Sequence, residues 1–305
     1  MCVFLIILYK DYIQSLPIMK IITITTGDTS FLDIQMKSFK KFLNCPYEFI
    51  VFNGCSSISE FSNDFNEKAL KNVESFCQIN NIKFINCFNL VKQYIYDKQP
   101  NGSGRHACIL HVVFDYIKKN PDQYFMIDSD MFFIDNYDLE GLKQYKSAIV
   151  LHERSDLKYL WPNLWYIDSS QFDDLEEIKH FAPVNGGDCG AQTEFWLEKQ
   201  NVFLPTKEEI EKHDYDYFNN KGFKIIKHIE SGTWSKETFP EYLPKELLQF
   251  CKEDFRNKNY CYFFSELYDK KIFHLRAGSN WNKNDHFMHT ELKRRLYNVM
   301  NIIMS

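Results

Sequence analysis

Tyr124-Phe125-Met126-Ile127-Asp128-Ser129-Asp130-Met131-Phe132-Phe133-Ile134 is the stretch from which the rest of the chain is read. An apolar strand signal ends in two carboxylates one residue apart, and the chain then turns apolar again. In an extended backbone, positions i and i+2 share a face, so Asp128 and Asp130 would converge at the strand's carboxyl end. Carboxylates between apolar segments need a compensating charge. Hard divalent cations prefer carboxylate oxygens and are readily shared with phosphates. A plain acidic turn is the competing reading. A second such pair, Asp214-Tyr215-Asp216, follows the charged, helix-like stretch 207–213 and reads as a solvated face.

Upstream of this segment, strand and helix signals alternate. Residues 20–26 are rich in β-branched side chains and end at Gly27-Asp28. Phe31, Ile34, Met36, Phe39 and Leu43 approximate helical spacing. Further strands are expected at 48–52 and 82–85, and helices at about 66–80 and 105–119. This β-α-β-α-β order predicts an α/β fold: an open, mostly parallel sheet with helices on both faces. Such sheets bind ligands beyond the carboxyl ends of their strands. Downstream, strands are expected at 147–151, 164–167, 224–229 and 271–273, with helices near 245–255 and 290–300. With no repeat or linker, residues 20–305 read as one domain. Its nucleotide-binding half is about 20–135 and its acceptor half about 136–305.

Composition narrows the class. The chain has 305 residues and a net charge of −5, with hydrophobic content of 45% and charged content of 25%. Those are ordinary globular values, and 305 residues can bury a large core. The pI near 6.0 argues against a general nucleic-acid binder. The 28 Phe and 18 Tyr residues are read as a codon bias rather than a function. Nine Cys without a CxxC pair predict reduced thiols in a reducing, cytoplasmic setting. The apolar run 2–9 is too short to span a bilayer and lacks signal-peptide flanks. Residues 1–19 are therefore expected to be a leader or an extra strand, with Met19 an alternative start. No transmembrane segment is expected.

Other motifs carry candidate chemistry. Gly102-Ser103-Gly104-Arg105-His106 lies at an expected helix N-terminus, where backbone N–H groups and the helix dipole favour anions. That makes Arg105 and His106 candidates for phosphate or sugar contact, against an ordinary flexible cap. Asn185-Gly186-Gly187-Asp188-Cys189-Gly190 is a Gly-rich turn that lets backbone approach a ligand. Asp188 there is a candidate base or sugar ligand, against a turn residue. Arg276 is a candidate for phosphate pairing, with Gly278 and Ser279 offering backbone donors. Trp161, Trp165 and Trp234 are read as packing residues first and sugar-stacking residues second.

Taken in order, the strand ending in Thr25-Thr26-Gly27-Asp28, the Gly-Arg-His helix start, Asp128-Ser129-Asp130, the 185–190 segment and Phe273-His274-Leu275-Arg276-Ala277-Gly278-Ser279-Asn280-Trp281 resemble the nucleotide-sugar-dependent glycosyltransferases of the GT-A fold. The resemblance spans roughly residues 20 to 285. It implies that Asp130 ligates Mn2+ or Mg2+, that Asp128 contacts the cation, directly or through water, or the ribose, and that His274 completes the coordination. The cation would bridge the pyrophosphate of a nucleotide-sugar donor, most often a UDP-sugar, whose sugar passes to a glycan or other hydroxyl acceptor. It places Thr25, Thr26 and Asp28 at the nucleoside base and ribose, with helix capping by Asp28 as the alternative. For His274, a buried structural imidazole is the alternative. Rival readings are a sugar-nucleotide nucleotidyltransferase, a haloacid-dehalogenase-type phosphatase and an inactive glycan-binding protein. The first lacks a basic cluster after the first strand. The second has its Asp pair on an early strand, with Thr or Val where Phe132 stands.

Overall fold

The computed structural model describes residues 18–25, 27–54, 63–87, 90, 102–154, 157–178, 188–202, 205–206, 208–209, 222–229, 243–254, 265–276 and 286–305. The leader 1–17, Thr26, Asn185 to Gly187, Asp214, Asp216, Trp234, Gly278 and Ser279 lie outside them. The strands are β1 (Met19–Thr25), β2 (Tyr47–Asn53), β3 (Lys83–Asn86), β4 (Gln123–Ile127), β5 (Met131–Phe133), β6 (Ser147–Arg154), β7 (Leu157–Asp168), β8 (Phe223–Ile225), β9 (His228–Ile229), β10 (Ser265–Tyr268) and β11 (Ile272–Leu275). The helices are α1 (Thr29–Phe42), α2 (Asn63–Ile79), α3 (Gly102–Lys119), α4 (Glu194–Lys199), α5 (Lys245–Lys252) and α6 (His286–Met304).

A seven-stranded sheet runs β3-β2-β1-β4-β7-β6-β8, and a four-stranded sheet runs β5-β11-β10-β9. The β1, β2, β3 and β4 pairings are parallel, as alternating strands and helices require. β7 departs from that pattern, running antiparallel to both β4 and β6. A sequence of strand periods does not encode direction, and residues 147–168 carry only a short connection between β6 and β7, so a helical crossover does not fit there.

Period-two alternation divides the core. Ile22, Ile24, Ile50, Phe52, Tyr124 and Met126 face α3, against Leu110, Val113, Phe114 and Ile117. Their neighbours Ile21, Phe49, Val51, Phe125 and Ile127 face the other side, against Leu32 and Phe39 of α1 and Val73 and Cys77 of α2. α1 starts where Asp28 accepts the Ser30 N–H at 3.0 Å, after Gly27 turns the chain at φ +110°. A third apolar cluster joins Phe31 and Ile34 of α1 to Leu247 and Phe250 of α5, to Leu267 and Phe273, and to Leu292, Leu296 and Met300 of α6. That cluster fastens the small sheet to the main one.

Three segments differ from expectation. The strand expected at 224–229 divides: β8 ends the main sheet and β9 begins the small one. Ile226 N–H still bonds Ile149 O at 2.8 Å, whereas Lys227 O already accepts from Asp269. β5 and β10 were not expected as strands. They are three and four residues long, too short to show a period. Trp161 and Trp165 are buried packing residues, Trp165 stacking on Phe114 at 5.0 Å between centroids.

Candidate functional site

The strand order places a topological switch between β1 and β4, because the chain moves outward through β2 and β3 and then returns across β1. A small, partly open pocket lies at that point, lined by Ile22, Ile24, His106, Met126, Asp128 and Asn163 among others. Asp128 immediately follows β4 at its mouth.

Asp128-Ser129-Asp130 is a turn rather than the extended segment expected, closed by Met131 N–H to Asp128 O at 3.1 Å. Gln35 of α1 explains it. This fully buried side chain donates from Nε2 to Asp128 O at 2.6 Å and to Met131 O at 3.1 Å. On the other side Asn163 of β7 donates from Nδ2 to Asp128 Oδ2 at 2.9 Å, and its backbone carbonyl takes the Asp128 N–H at 2.8 Å. Asn163 Oδ1 lies 2.9 Å from His106 Nε2. A carboxylate only accepts, so the amide nitrogen faces Asp128 and the amide oxygen is left to accept from His106.

The same turn feeds β5, whose register with β11 sets His274 opposite Met131. Leu275 N–H bonds Asp130 O at 3.0 Å, and His274 Nε2 stands 3.4 Å from Asp130 Oδ1. Residues distant in sequence thus meet through one three-residue strand. His274 Nδ1 lies 3.0 Å from Glu266 Oε2, and Glu266 also meets Tyr268 Oη at 3.1 Å, Arg276 Nε at 3.1 Å and His228 Nε2 at 3.6 Å.

Electrostatically the site is acidic and confined. Burial and the neighbouring Asp130 push the Asp128 carboxyl up to about 6, against His106, His274 and the Ser129 N–H. Burial disfavours charge on His274, but hydrogen bonds to Asp130 and Glu266 outweigh it and raise the ring to about 10. Burial likewise opposes the Glu266 charge, and His228 and His274 overcome it, holding the carboxyl well below its usual range.

The remaining expected residues take varied places. Thr25 is buried at the end of β1, accepting the Gly27 N–H at 3.3 Å. Asp28 caps α1 and pairs with Lys293 of α6. His106 reaches the cleft from α3, and Arg105 lies in the first turn of that helix, its side chain outside the described ones. Arg276 is 41% exposed, with Nε held by Glu266. Asp188 donates its N–H to Tyr159 Oη at 3.1 Å and accepts from Cys189 N–H at 2.7 Å. The Cys189 Sγ is 4.0 Å from Asn163 Oδ1, which ties this turn to Asp128 through one side chain. The described cysteines are free thiols, and burial pushes Cys77 up to about 11 and Cys87 up to about 12, so neither is a nucleophile.

Asn163, Gln35 and Glu266 were not singled out by the sequence. Gln35 lies in an amphipathic helix, whereas Asn163 and Glu266 lie on strands buried along most of their length. The one available signal was a polar residue on an otherwise apolar face, as Gln35 is in α1.

Beside the site, near-parallel rings stack: His152 on Trp161 at 4.9 Å and on His228 at 5.2 Å, and Tyr268 on Trp161 at 5.4 Å. Burial, with His228 adding to it, pushes His152 down to about 3. A ring held neutral in the fold stabilises fully above its unfolded pKa of about 6.5 and progressively less as pH falls below it. The full effect at pH 5 is ~2 kcal/mol, and partial exposure cuts it to about 1 kcal/mol. Asp128, with its raised pKa, titrates in the opposite sense over the same range. The expected result is therefore a difference: from pH 7 to 5, His152→Phe gains about 1 kcal/mol on the wild type in urea unfolding. Parallel curves would mean that His152 is protonated in the fold.

The donor types fit a hard or borderline divalent cation: two carboxylates and an imidazole whose second nitrogen is held by a carboxylate. Among the described residues, no group of three or more His, Cys, Asp or Glu is already gathered to hold an ion, so a cation would have to draw these donors together.

Fold and site together define an open α/β protein with one carboxylate, Asp128, in a small pocket at its switch point. No protein-family model matches the chain, and no curated protein does. Among solved structures, the galactosyltransferase LgtC in complex with donor and acceptor sugar analogues aligns at 12% identity over 90% of this chain and 95% of that one, with a TM-score of 0.39. The glycosyltransferase GlyE of Streptococcus pneumoniae TIGR4 aligns at 12% identity over 94% and 63%, with a TM-score of 0.38. S. aureus TarS 1–349 aligns at 13% identity over 68% and 57%, with a TM-score of 0.31. The chain covers less than two thirds of the GlyE and TarS structures. At such identities and scores the likeness carries no weight of its own, and the chemistry rests on this chain's residues.

Proposed function

We propose that this chain is a metal-dependent glycosyltransferase of the GT-A type, moving a monosaccharide from a nucleotide sugar, preferably a UDP-sugar, to a hydroxyl acceptor such as a glycan. The observation that carries the reading is Asp128 at the switch-point pocket, with Asp130 two residues on in the same turn and His274 delivered beside Asp130 by another strand. Asp128, Asp130 and His274 would hold Mn2+ or Mg2+. When bound, the cation neutralises charge on the leaving nucleoside diphosphate. The imidazole favours Mn2+, since Mg2+ prefers oxygen and retained water.

The other residues bind and orient. Thr25 and Asp28, at and just after the end of β1, would meet the base and ribose, and Thr26 is assigned the same role from the sequence alone. His106 reaches the cleft from α3, with Arg105 one residue before it, on the phosphate and donor-sugar side. Arg276, with Gly278 and Ser279, contacts phosphate. Asp188 takes the acceptor proton or holds a sugar hydroxyl. In the transfer, the bond from the sugar's anomeric carbon to the diphosphate oxygen breaks, a bond to the acceptor oxygen forms, and the acceptor proton passes to a base. Among the described residues no helix is long and apolar enough to cross a membrane.

The test is calorimetry of UDP with the full chain, first in EDTA and then in Mn2+. The expected result is binding with Mn2+ and a loss of at least tenfold without it. Equal affinity in both buffers would refute a bridging cation. Hydrolysis of UDP-sugars in Mn2+ without acceptor would separate a working enzyme from a binding protein on the same fold.

A further inference from the structure

Glu266 is a buried carboxylate with only 7% of its surface exposed, on a strand the sequence did not mark. Register pairs it with His274 across β10 and β11, so the two side chains leave the sheet on one face. Both its oxygens are committed. Oε2 accepts from His274 Nδ1 at 3.0 Å and from Tyr268 Oη at 3.1 Å, and Oε1 accepts from Arg276 Nε at 3.1 Å.

Burying a carboxylate is costly unless it is paired and hydrogen-bonded. Four neighbours on β9, β10 and β11 or just beyond supply that compensation. A carboxylate accepts and does not donate, so the His274 nitrogen facing Glu266 carries a proton. The other nitrogen, Nε2, faces Asp130 Oδ1 and by the same rule carries a proton while no cation is bound; a cation would displace that proton and leave the one on Nδ1. Imidazoles that ligate metals are commonly fixed in this manner, the outer nitrogen donating to a carboxylate and the inner one offering its lone pair.

We propose that Glu266 is the positioning residue of the cation site: it fixes the His274 tautomer and ring orientation so that Nε2 faces the cation. The proposal rests on the metal reading above, and deepens it by naming a residue that never touches the ion. Arg276 is tied to the same carboxylate, so ring and guanidinium are held as one unit at the end of β11.

The rival role is purely structural: Glu266 neutralising a cationic cluster. The two roles predict different outcomes for Glu266→Gln and Glu266→Leu. A glutamine oxygen still accepts from Nδ1, and a leucine does not. Mn2+ affinity is read from the free-ion electron paramagnetic resonance signal on the full chain. Glu266→Leu is expected to lose roughly 10–100-fold, and Glu266→Gln less. Variants that melt earlier yet bind Mn2+ as the wild type does would overturn the proposal. So would equal losses in both. A wild type that takes up no Mn2+ would instead sink the metal reading itself.

Should Glu266→Leu fail to fold, the wild type alone decides. In 15N-histidine-labelled protein loaded with Zn2+ as a diamagnetic probe, His274 should show a protonated Nδ1 and a metal-bound Nε2. The reverse assignment ends the proposal.

Discussion

Asp130→Asn should weaken Mn2+-dependent UDP binding by about 100-fold or more, ~3 kcal/mol, and reduce sugar transfer at least as much. The carboxylate is 2% exposed and stands 3.4 Å from His274 Nε2, so it would be the innermost anionic donor. The fold should survive. The bond that fastens β5 to β11 here comes from Leu275 N–H to the Asp130 backbone carbonyl, which Asn retains. Losing the pair with His274 costs stability, and relief of the repulsion that raises Asp128 offsets part of it. Calorimetry gives the binding loss, and a thermal melt without metal checks the fold. A variant that binds UDP and Mn2+ like the wild type would return the Asp pair to an ordinary acidic turn. One that melts many degrees lower would make Asp130 structural.

Gly190→Ala should destabilise the protein by about 3 kcal/mol, the upper end of the overpacking range. A Cβ there would sit 2.1 Å from the Leu160 carbonyl oxygen and 2.8 Å from Pro162 Cδ. Neither is the end of a flexible chain. The Gly190 φ of −85° is open to any residue, so the requirement is for space, not for conformation. The turn must lift away from β7, and the Cys189 contact with Asn163 would open with it. Urea unfolding measures the loss. A change under 1 kcal/mol would mean that the turn moves freely over β7, and that Asp188 is not fixed relative to Asp128.

That glycine shows where sequence reading stopped. A Gly-rich turn with one acid was visible at 185–190, and ligand approach was the natural reason for it. For Gly190 the close approach is to β7 of the same chain. Local sequence says that a Cβ is unwanted, but not what it would strike.

The alternation of β1–β4 with helices, the α1 amphipathic face and the carboxylates after β4 followed from the sequence alone, because the periods of 2 and 3.6 and the solvation cost of charge are local properties. Direction and partnership of the later strands did not. The antiparallel β7, the split at Lys227 and the three-residue β5 depend on which strands meet, a choice made by burial across the whole molecule. The site divides in the same way. Asp128 and Asp130 announced themselves by spacing, and His274 was reached only through a resemblance. Asn163, Gln35 and Glu266 are single polar residues without a local pattern, and become part of the site only when β7, α1 and β10 pack around the turn. Tertiary structure decided them, since a buried polar group acquires its meaning from the partner that satisfies it.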